Sequence, residues 1–369
     1  MASLIRPNVL QMTPYLTGKP IEEVKRELGL DRVIKLASNE NPIGPSPKAV
    51  EAVRKAAERM HIYPDGAAFE LKEKISSKFG VPRNQILVGN GSDELIHLIG
   101  LLFLGKPTDE MIVGDPSFSR FDASAHLAPS KLVKVPLDSD FRHDLPAMAR
   151  AITENTKLVF VANPNNPTGT IVYKNEVDAF VRDLPEHVTF VLDEAYYEFA
   201  VNEPRMPNSL DYLAQGKNII GLRTLSKAYG LAGIRVGYGF APAWVSDAID
   251  RAREPFDVNS LAQAAAVAAF DDIEHLKQTV EHNTRGLATL TKAFEAVGAR
   301  PIPSCANFVF ADLGIEAKPV FEALLRHGVI TRSGHALGDK NSLRVTVGTD
   351  EEMEIFAAAL KEVLMTATV

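Results

Sequence analysis

Between about residues 85 and 240, short apolar runs rich in β-branched residues alternate with stretches of helical periodicity. The runs include KLVFVA, VTFVLD and NIIGL, and several of them have no polar alternate face. Unbroken apolar strands of this kind are typical of a parallel sheet that helices cover on both faces. The alternation therefore predicts an α/β fold with a mostly parallel sheet, in which ligands gather at the carboxyl ends of the strands.

The length of the chain, 369 residues, suggests two domains. After residue 255 a long amphipathic stretch leads into a second series of strands and helices. We predict an N-terminal segment at residues 1–40, a large domain at 41–255 and a smaller α/β domain at 256–369. The N-terminal segment is expected to pack on the small domain or on a partner subunit.

Composition excludes several classes of function. The formal net charge is −7 and no run of Lys and Arg is long enough to follow a phosphate backbone, so nucleic acid is not an expected partner. The N-terminus lacks the apolar block of a signal peptide and no stretch approaches a bilayer span, which predicts a cytoplasmic protein without a membrane partner. The single cysteine, Cys305, rules out an internal disulfide framework and is expected to be buried and unreactive. We assign no metal-binding residue.

Four motifs follow the predicted strands. Asn166 lies in NPNNPTG, Asp193 ends VTFVLD, Lys227 follows NIIGLRT, and Ser92 and Asp93 lie in GNGSDE at the start of a predicted helix. Each motif also has an ordinary explanation. The segment of Asn166 is explained by a turn, Asp193 by a helix N-cap or a metal ligand, Lys227 by a solvated surface charge, and the GNGSDE segment by another N-cap. Desolvation at a strand end would instead lower the pKa of a lysine and expose a neutral amine.

Taken together, these motifs provide the groups that a pyridine-aldehyde phosphate needs. The aldehyde needs a lysine, the ring nitrogen an anion, and the ring oxygen a neutral donor. The phosphate needs N–H groups at a helix N-terminus and a cation, for which Arg235 is the candidate.

The same motifs, with LASNENPIGPSP, YPD, ANFVF and LRVTVGT, run in order along nearly the whole chain. In this order the chain resembles the fold-type I, class I and II aminotransferases, and most closely the histidinol-phosphate aminotransferases. The 27 residues from Asn166 to Asp193 and the 34 from Asp193 to Lys227 match the spacing of that family. The resemblance implies a homodimer that uses pyridoxal 5′-phosphate.

The resemblance also implies a role for individual residues. Lys227 is the catalytic residue and holds the cofactor as a Schiff base, and Asp193 pairs with the ring nitrogen. Asn166 and Tyr196 hydrogen-bond the ring oxygen, and Phe118 stacks on the ring. The residues implied for the cofactor phosphate are Ser92, Asp93, Thr224, Ser226 and Arg235, with Tyr63 from the partner subunit.

For the substrate, the resemblance implies that Arg344 grips a carboxylate and that Arg332 favours a substrate phosphate. A guanidinium fork suits both anions. Asn39 is expected near Arg344, and Tyr15 is a candidate for the substrate pocket, with packing across a dimer as its alternative.

The implied reaction is ping-pong transfer from histidinol phosphate to 2-oxoglutarate, giving imidazole-acetol phosphate and glutamate in histidine biosynthesis. An aromatic amino-acid aminotransferase is an alternative, because the imidazole pocket is not readable from motifs. A lyase like the threonine-phosphate decarboxylases is a second. A non-catalytic cofactor-binding protein is disfavoured, because no DNA-binding helix-turn-helix extension is visible and every expected catalytic position is filled.

Overall fold

A computed structural model describes residues 4–10, 12, 14 and 18–367 of the chain, so Tyr15 lies outside the described residues. The strands are β1 (Ile34–Lys35), β2 (Ile86–Gly89), β3 (Glu110–Asp115), β4 (Lys131–Pro136), β5 (Thr156–Ala162), β6 (Thr189–Asp193), β7 (Ile219–Thr224), β8 (Gly237–Phe240), β9 (Arg300–Ile302), β10 (Phe308–Asp312), β11 (Val329–Ile330), β12 (Arg332–Ser333) and β13 (Ser342–Thr346). The helices are α1 (Pro7–Leu10), α2 (Ile21–Leu28), α3 (Pro47–Ala57), α4 (Phe69–Phe79), α5 (Ser92–Phe103), α6 (Ser119–Leu127), α7 (Leu145–Arg150), α8 (Lys174–Arg182), α9 (Tyr197–Ala200), α10 (Ser209–Ala214), α11 (Ala243–Ala252), α12 (Ser260–Phe270), α13 (Ile273–Glu295), α14 (Ala317–Arg326) and α15 (Asp350–Ala367).

The largest sheet has the strand order β2-β8-β7-β6-β5-β3-β4. Only β8 among them runs antiparallel to its neighbours, which confirms the predicted mostly parallel sheet in an α/β fold. In the register, Ala162 at the end of β5 lies beside Asp193 at the end of β6. The carboxyl ends of β5, β6 and β7 therefore meet at one edge of the sheet.

The strand β5 shows why this sheet is covered on both faces. Its Val159 and Val161 belong to one hydrophobic cluster, and its Leu158, Phe160 and Ala162 belong to another. Successive side chains of a strand point to opposite faces, so an apolar residue at every position requires an apolar cover on each side. The helices α5 and α12 contribute buried residues to the two separate clusters, one helix to each.

A smaller antiparallel sheet has the order β12-β13-β10-β9. The helices α13, α14 and α15 share its hydrophobic cluster. The N-terminal strand β1 pairs in parallel with β11, so residues 34 and 35 are hydrogen-bonded to the C-terminal part of the chain. Among the described residues, no helix combines the length and the apolar character that crossing a bilayer requires.

The helix α12 bears on where the two domains meet. It packs on α3 and α4, and its Ala262, Ala266 and Phe270 lie in the hydrophobic cluster of the large sheet. We therefore propose that the large domain ends after Phe270 rather than at residue 255. The alanine-rich sequence of α12 has no polar face that would have indicated this packing.

Candidate active site

A cavity of about 180 Å³ lies where β5, β6 and β7 end. The structure brings most of the residues predicted from the sequence into its wall. They are Asn39, Ser92, Asp93, Phe118, Asn166, Asp193, Tyr196, Thr224, Ser226, Lys227, Arg235, Arg332 and Arg344. Tyr63 is not among the residues that line this cavity.

Lys227 lies three residues beyond the end of β7 and extends into the cavity. Its Nζ donates a hydrogen bond to the carbonyl oxygen of Ser38 at 3.3 Å. Burial, together with the positive charge of Arg344, lowers the pKa of Lys227 to about 8. About a tenth of the Lys227 side chains would therefore be neutral at pH 7, far more than for an ordinary lysine, and the neutral amine is the form that attacks a carbonyl.

Asp193 is the last residue of β6 and is 3% exposed. Its Oδ1 accepts a hydrogen bond from the backbone N–H of Ala195 at 3.1 Å. Burial raises the pKa of Asp193 to about 7, and the negative charge of Asp93 adds to this rise. A cation in the cavity would favour the ionised form, so this carboxylate suits the protonated ring nitrogen of pyridoxal phosphate.

Tyr196 lies in a hydrogen-bonded group of neutral side chains. Its hydroxyl oxygen accepts from Asn39 Nδ2 at 2.8 Å and from Asn166 Nδ2 at 3.4 Å. The tyrosine ring packs edge-on against Phe308, with ring centroids 5.4 Å apart. Asn166 and Tyr196 are thus neighbours in the cavity wall, which is consistent with the prediction that both bind one ring oxygen.

Arg344 and Arg332 occupy directly opposed positions on the antiparallel strands β13 and β12. The guanidinium of Arg344 donates to Asn166 Oδ1 and, at 2.7 Å, to the carbonyl oxygen of Ala37. Cross-strand partners point to the same face of a sheet, so two cations share one wall of the cavity. The arrangement suits anionic substrates.

The end of the cavity at which the sequence predicts the cofactor phosphate is formed where β2 leads into α5. Gly91 has φ 81° and α5 begins at the next residue, Ser92, so that the first amide groups of a twelve-residue helix are at the cavity. Arg235 donates to Ser226 Oγ at 3.3 Å and to Asp93 Oδ2 at 3.4 Å. A Cβ on Gly91 would lie 2.4 Å from Arg235 Nη2, so only glycine lets the cation approach the helix N-terminus this closely.

Phe118 immediately precedes α6 and contributes an aromatic ring to the cavity. The ring packs edge-on against Phe121, with centroids 5.7 Å apart, and Phe121 is fully buried. The side chain is thus supported from the core on one side, and its position fits the stacking role that the sequence predicts.

Tyr63 lies away from this cavity. It is 80% exposed and stacks on Phe256, with ring centroids 4.8 Å apart, beside a separate groove. Its assignment to the cavity of a partner subunit stays a prediction. Cys305 is partly buried rather than fully buried, and burial raises the pKa of its thiol.

The sequence analysis missed several residues in and around the site, among them Ser38, Asn165 and Thr346. Ser38 accepts from Lys227 through its backbone, Asn165 joins the NPNNPTG turn to Ser117, and Thr346 is hydrogen-bonded to Asn39. Only Thr346 had a usable signal, because it stands two positions after Arg344 on the same strand and therefore on the same face.

Comparisons with known proteins agree with the geometry. Residues 31–360 match the family described as aminotransferase class I and II. The chain is 48% identical over 360 residues to a histidinol-phosphate aminotransferase of Moorella thermoacetica, covering 97% of this chain and 92% of that protein. It is 46% identical over 364 residues to a histidinol-phosphate aminotransferase of Akkermansia muciniphila, covering 98% and 99% of the two chains.

Among solved structures, the histidinol-phosphate aminotransferase of Sinorhizobium meliloti in complex with pyridoxal 5′-phosphate superposes with a TM-score of 0.91. The two chains are 30% identical, and the match covers 99% of this chain and 98% of the other. The ordered motifs, the cavity at the strand ends and these likenesses have one common explanation. The chain belongs to the class I and II aminotransferase family.

Proposed function

We propose that this chain is a pyridoxal phosphate-dependent aminotransferase that moves the amino group of histidinol phosphate to 2-oxoglutarate. The observation that carries the choice of substrate is the pair of arginines, Arg332 and Arg344, opposed across two strands in the cavity wall. The names of the relatives from Moorella thermoacetica and Akkermansia muciniphila support it. Imidazole-acetol phosphate and glutamate are the products.

The cavity fits pyridoxal phosphate by the chemistry of its walls. When bound, the cofactor supplies a reactive carbonyl and an electron-withdrawing ring. We assign Asp193 to the ring nitrogen, Asn166 and Tyr196 to the ring oxygen, and Phe118 to the ring face. We assign the cofactor phosphate to Arg235 and to the residues around it, which are Ser92, Asp93, Thr224 and Ser226.

Lys227 has two tasks in this proposal. Its neutral amine would hold the cofactor. Once freed by the amine of the substrate, its Nζ would accept a proton from the carbon that bears the substrate nitrogen. Because the pKa of Lys227 is lowered to about 8, the free amine can accept and return a proton near neutral pH without a large energetic cost.

The two arginines account for two different substrates. Histidinol phosphate carries a phosphate and no carboxylate, whereas glutamate and 2-oxoglutarate carry carboxylates. Arg344 is held between Asn166 and the carbonyl of Ala37, so its guanidinium has a fixed orientation for an anion. Arg332 adds a second positive charge for the larger charge of the phosphate.

The decisive experiment follows the two half-reactions separately. Purified holoenzyme is mixed with histidinol phosphate, and the visible absorbance of the lysine-bound cofactor should decay to the near-ultraviolet absorbance of its amine form. Addition of 2-oxoglutarate should restore the visible band. Absorbance that does not respond to histidinol phosphate but responds to phenylalanine would identify an aromatic aminotransferase, and release of carbon dioxide without a need for an oxo acid would identify a lyase.

A substitution tests the arginine argument directly. Arg332→Leu should lower kcat/KM for histidinol phosphate by about 10- to 100-fold, the size expected for loss of a charge-assisted contact, and should change that for glutamate much less. Arg300→Leu is the matched control, because Arg300 lies on the same small sheet and is 58% exposed. Equal losses for both substrates would contradict the assignment of Arg332 to the phosphate.

We also propose a cytoplasmic homodimer in which Tyr63 of one subunit reaches the cofactor phosphate of the other. In support, Tyr63 and Phe256 form an exposed aromatic stack, beside the exposed side chains of Ile62 and Phe69. Mixed dimers of Tyr63→Ala and Lys227→Ala subunits test this. One site of each mixed dimer would regain both residues, so activity should return on mixing if the tyrosine crosses between subunits.

A further inference from the structure

We propose that Thr346 is a positioning residue that acts through Asn39 to fix the direction of the hydrogen bond to Tyr196. The proposal rests on the assignment of Tyr196 to the cofactor ring oxygen. It adds a residue of the small sheet that does not itself line the cavity but hydrogen-bonds Asn39, which does.

Asn39 has an unusual backbone conformation that its neighbours hold in place. Its φ is 56°, in the left-handed region that few residues other than glycine adopt, although asparagine does so more often than most. The backbone N–H of Asn39 donates to Thr346 Oγ1 at 3.0 Å, and its carbonyl oxygen accepts from Asn307 Nδ2 at 3.1 Å. Asn39 is 2% exposed, so no bulk solvent is available to replace these partners.

The hydroxyl of Thr346 also orients the Asn39 side chain. It donates to Asn39 Oδ1 at 3.0 Å while it accepts from the backbone N–H of the same residue. With its oxygen held by Thr346, the amide presents its NH₂ group to Tyr196, 2.8 Å away. A rotated amide would present an oxygen instead and would draw the tyrosine proton toward Asn39.

The direction of this bond matters for the cofactor. Tyr196 accepts from both Asn39 and Asn166, so its own O–H is directed away from these two amides. Accepting hydrogen bonds polarises a hydroxyl and makes it a stronger donor. A hydrogen bond from Tyr196 would reduce the negative charge on the ring oxygen of a bound cofactor. That charge would otherwise help to retain the proton on the nitrogen of Lys227.

The strand β13 couples this device to the arginine of the substrate site. Arg344 and Thr346 are two positions apart, and the backbone N–H of Thr346 donates to the carbonyl oxygen of Leu36 at 2.9 Å. Arg344 in turn donates to Asn166 and to Ala37. Hydrogen bonds therefore lead from one strand to the hydroxyl of Tyr196 by two routes, through Asn166 and through Asn39.

The test is Thr346→Val, which removes the hydroxyl and keeps the shape of the side chain. In holoenzyme reconstituted with pyridoxal phosphate, the visible absorbance is titrated with pH in the absence of substrate. Weaker donation from Tyr196 should raise the midpoint of the titration by about half a pH unit or more, since hydrogen bonds to charged groups contribute on that order or above. Thr346→Ser keeps the hydroxyl and should leave the midpoint close to that of wild type.

Thr331→Val is the matched control. Thr331 is also a buried threonine of the C-terminal part, and its hydroxyl has no hydrogen-bond partner among the residues that the structure describes. Its substitution should leave the midpoint unchanged. If Thr346→Val does not fold, Thr346→Ala leaves room for a water molecule at the Asn39 N–H and should shift the midpoint in the same direction.

An unchanged midpoint in Thr346→Val and Thr346→Ala would overturn the proposal, and so would a shift of equal size in Thr331→Val. The measurement needs only the bound cofactor, so its outcome does not depend on which amine the enzyme uses. Failure of the wild-type protein to form a visible band at all would instead contradict the proposed role of Lys227.

Discussion

Asp193 and Glu194 are consecutive carboxylates at the end of one strand, and they differ in the partners that the chain provides for them. Glu194 accepts from the N–H and the hydroxyl of Ser209 at 2.9 and 2.7 Å and from Arg223 Nε at 3.0 Å. The guanidinium of Arg223 stacks on the ring of Tyr197, 3.7 Å from its centroid. Glu194 thus belongs to a complete ion pair behind the sheet.

Asp193 faces the cavity, where burial raises its pKa to about 7. The pair on the back of the sheet is complete within the chain. The carboxylate on the front forms no ion pair with a described residue, although the more distant positive charge of Lys227 acts to lower its pKa. A buried charge with its partner in the same chain stabilises one structure, and a buried charge that awaits a ligand costs folding stability in return for binding. The comparison predicts different responses to substitution on the two sides.

The largest expected effect is that of Lys227→Ala on the front side. The variant should lose activity on the order of 10⁴-fold or more, because both the bond to the cofactor and the proton carrier are removed. Its folding should be unimpaired, since a buried amine with a lowered pKa is a cost to the folded state. Steady-state rates and the visible spectrum measure the loss, with the exposed Lys48→Ala as the control.

On the back side, Glu194→Ala should lower the free energy of unfolding by about 3 to 5 kcal/mol, because Arg223 would remain buried without its carboxylate. Urea unfolding of the cofactor-free protein measures this. Glu203→Ala is the control, since Glu203 pairs with Arg205 at the surface and its loss should cost less than about 1 kcal/mol. Similar small losses in both variants would remove the distinction between the two sides.

Asp193→Asn should change the free energy of unfolding in the opposite direction. At pH 8 the cofactor-free variant should be more stable than wild type by about 1 to 3 kcal/mol, because a buried charge has been removed while an acceptor for the N–H of Ala195 remains. The same variant should bind pyridoxal phosphate more weakly, since the ring nitrogen loses its anion. A loss of stability in the cofactor-free variant would show that Asp193 is already matched within the chain.

Counted for each pH unit, the smallest effect is in the pH dependence of stability. The folded pKa of Asp193, about 7, lies above the ordinary value of 3.8, so the folded state holds a proton that the unfolded state releases. Its contribution to stability is present below pH 3.8 and is lost as pH rises toward 7, with a slope of up to about 1.4 kcal/mol per pH unit.

His143 contributes with the opposite sign to the same range, because burial lowers its pKa to about 4 and its stability contribution is lost as pH falls. The informative quantity is therefore the difference between wild type and Asp193→Asn, measured without cofactor at several pH values. The free energy of unfolding of the variant, relative to that of wild type, should rise steadily between pH 4 and 7. A difference that stays constant over this range would contradict the raised pKa.

The sequence predicted the sheet well because its signals are local. Runs such as KLVFVA have apolar residues at every position, and this property alone requires cover on both faces. The helix α12 could not be placed in the same way, since its alanines are equally suited to either side of a domain boundary. Contacts with α3 and α4 placed it with the large sheet.

In the candidate site, the residue types at the strand ends and their order along the chain were readable from the sequence. These determined the chemistry: an amine at Lys227, a carboxylate at Asp193 and cations at Arg235 and Arg344. Only the tertiary structure decided what each of them meets, as when Asn39 and Thr346, 307 positions apart, hold each other. The physical reason is that a motif records the chemistry of one short segment, whereas a hydrogen bond between distant segments exists only after packing has brought them to within about 3 Å.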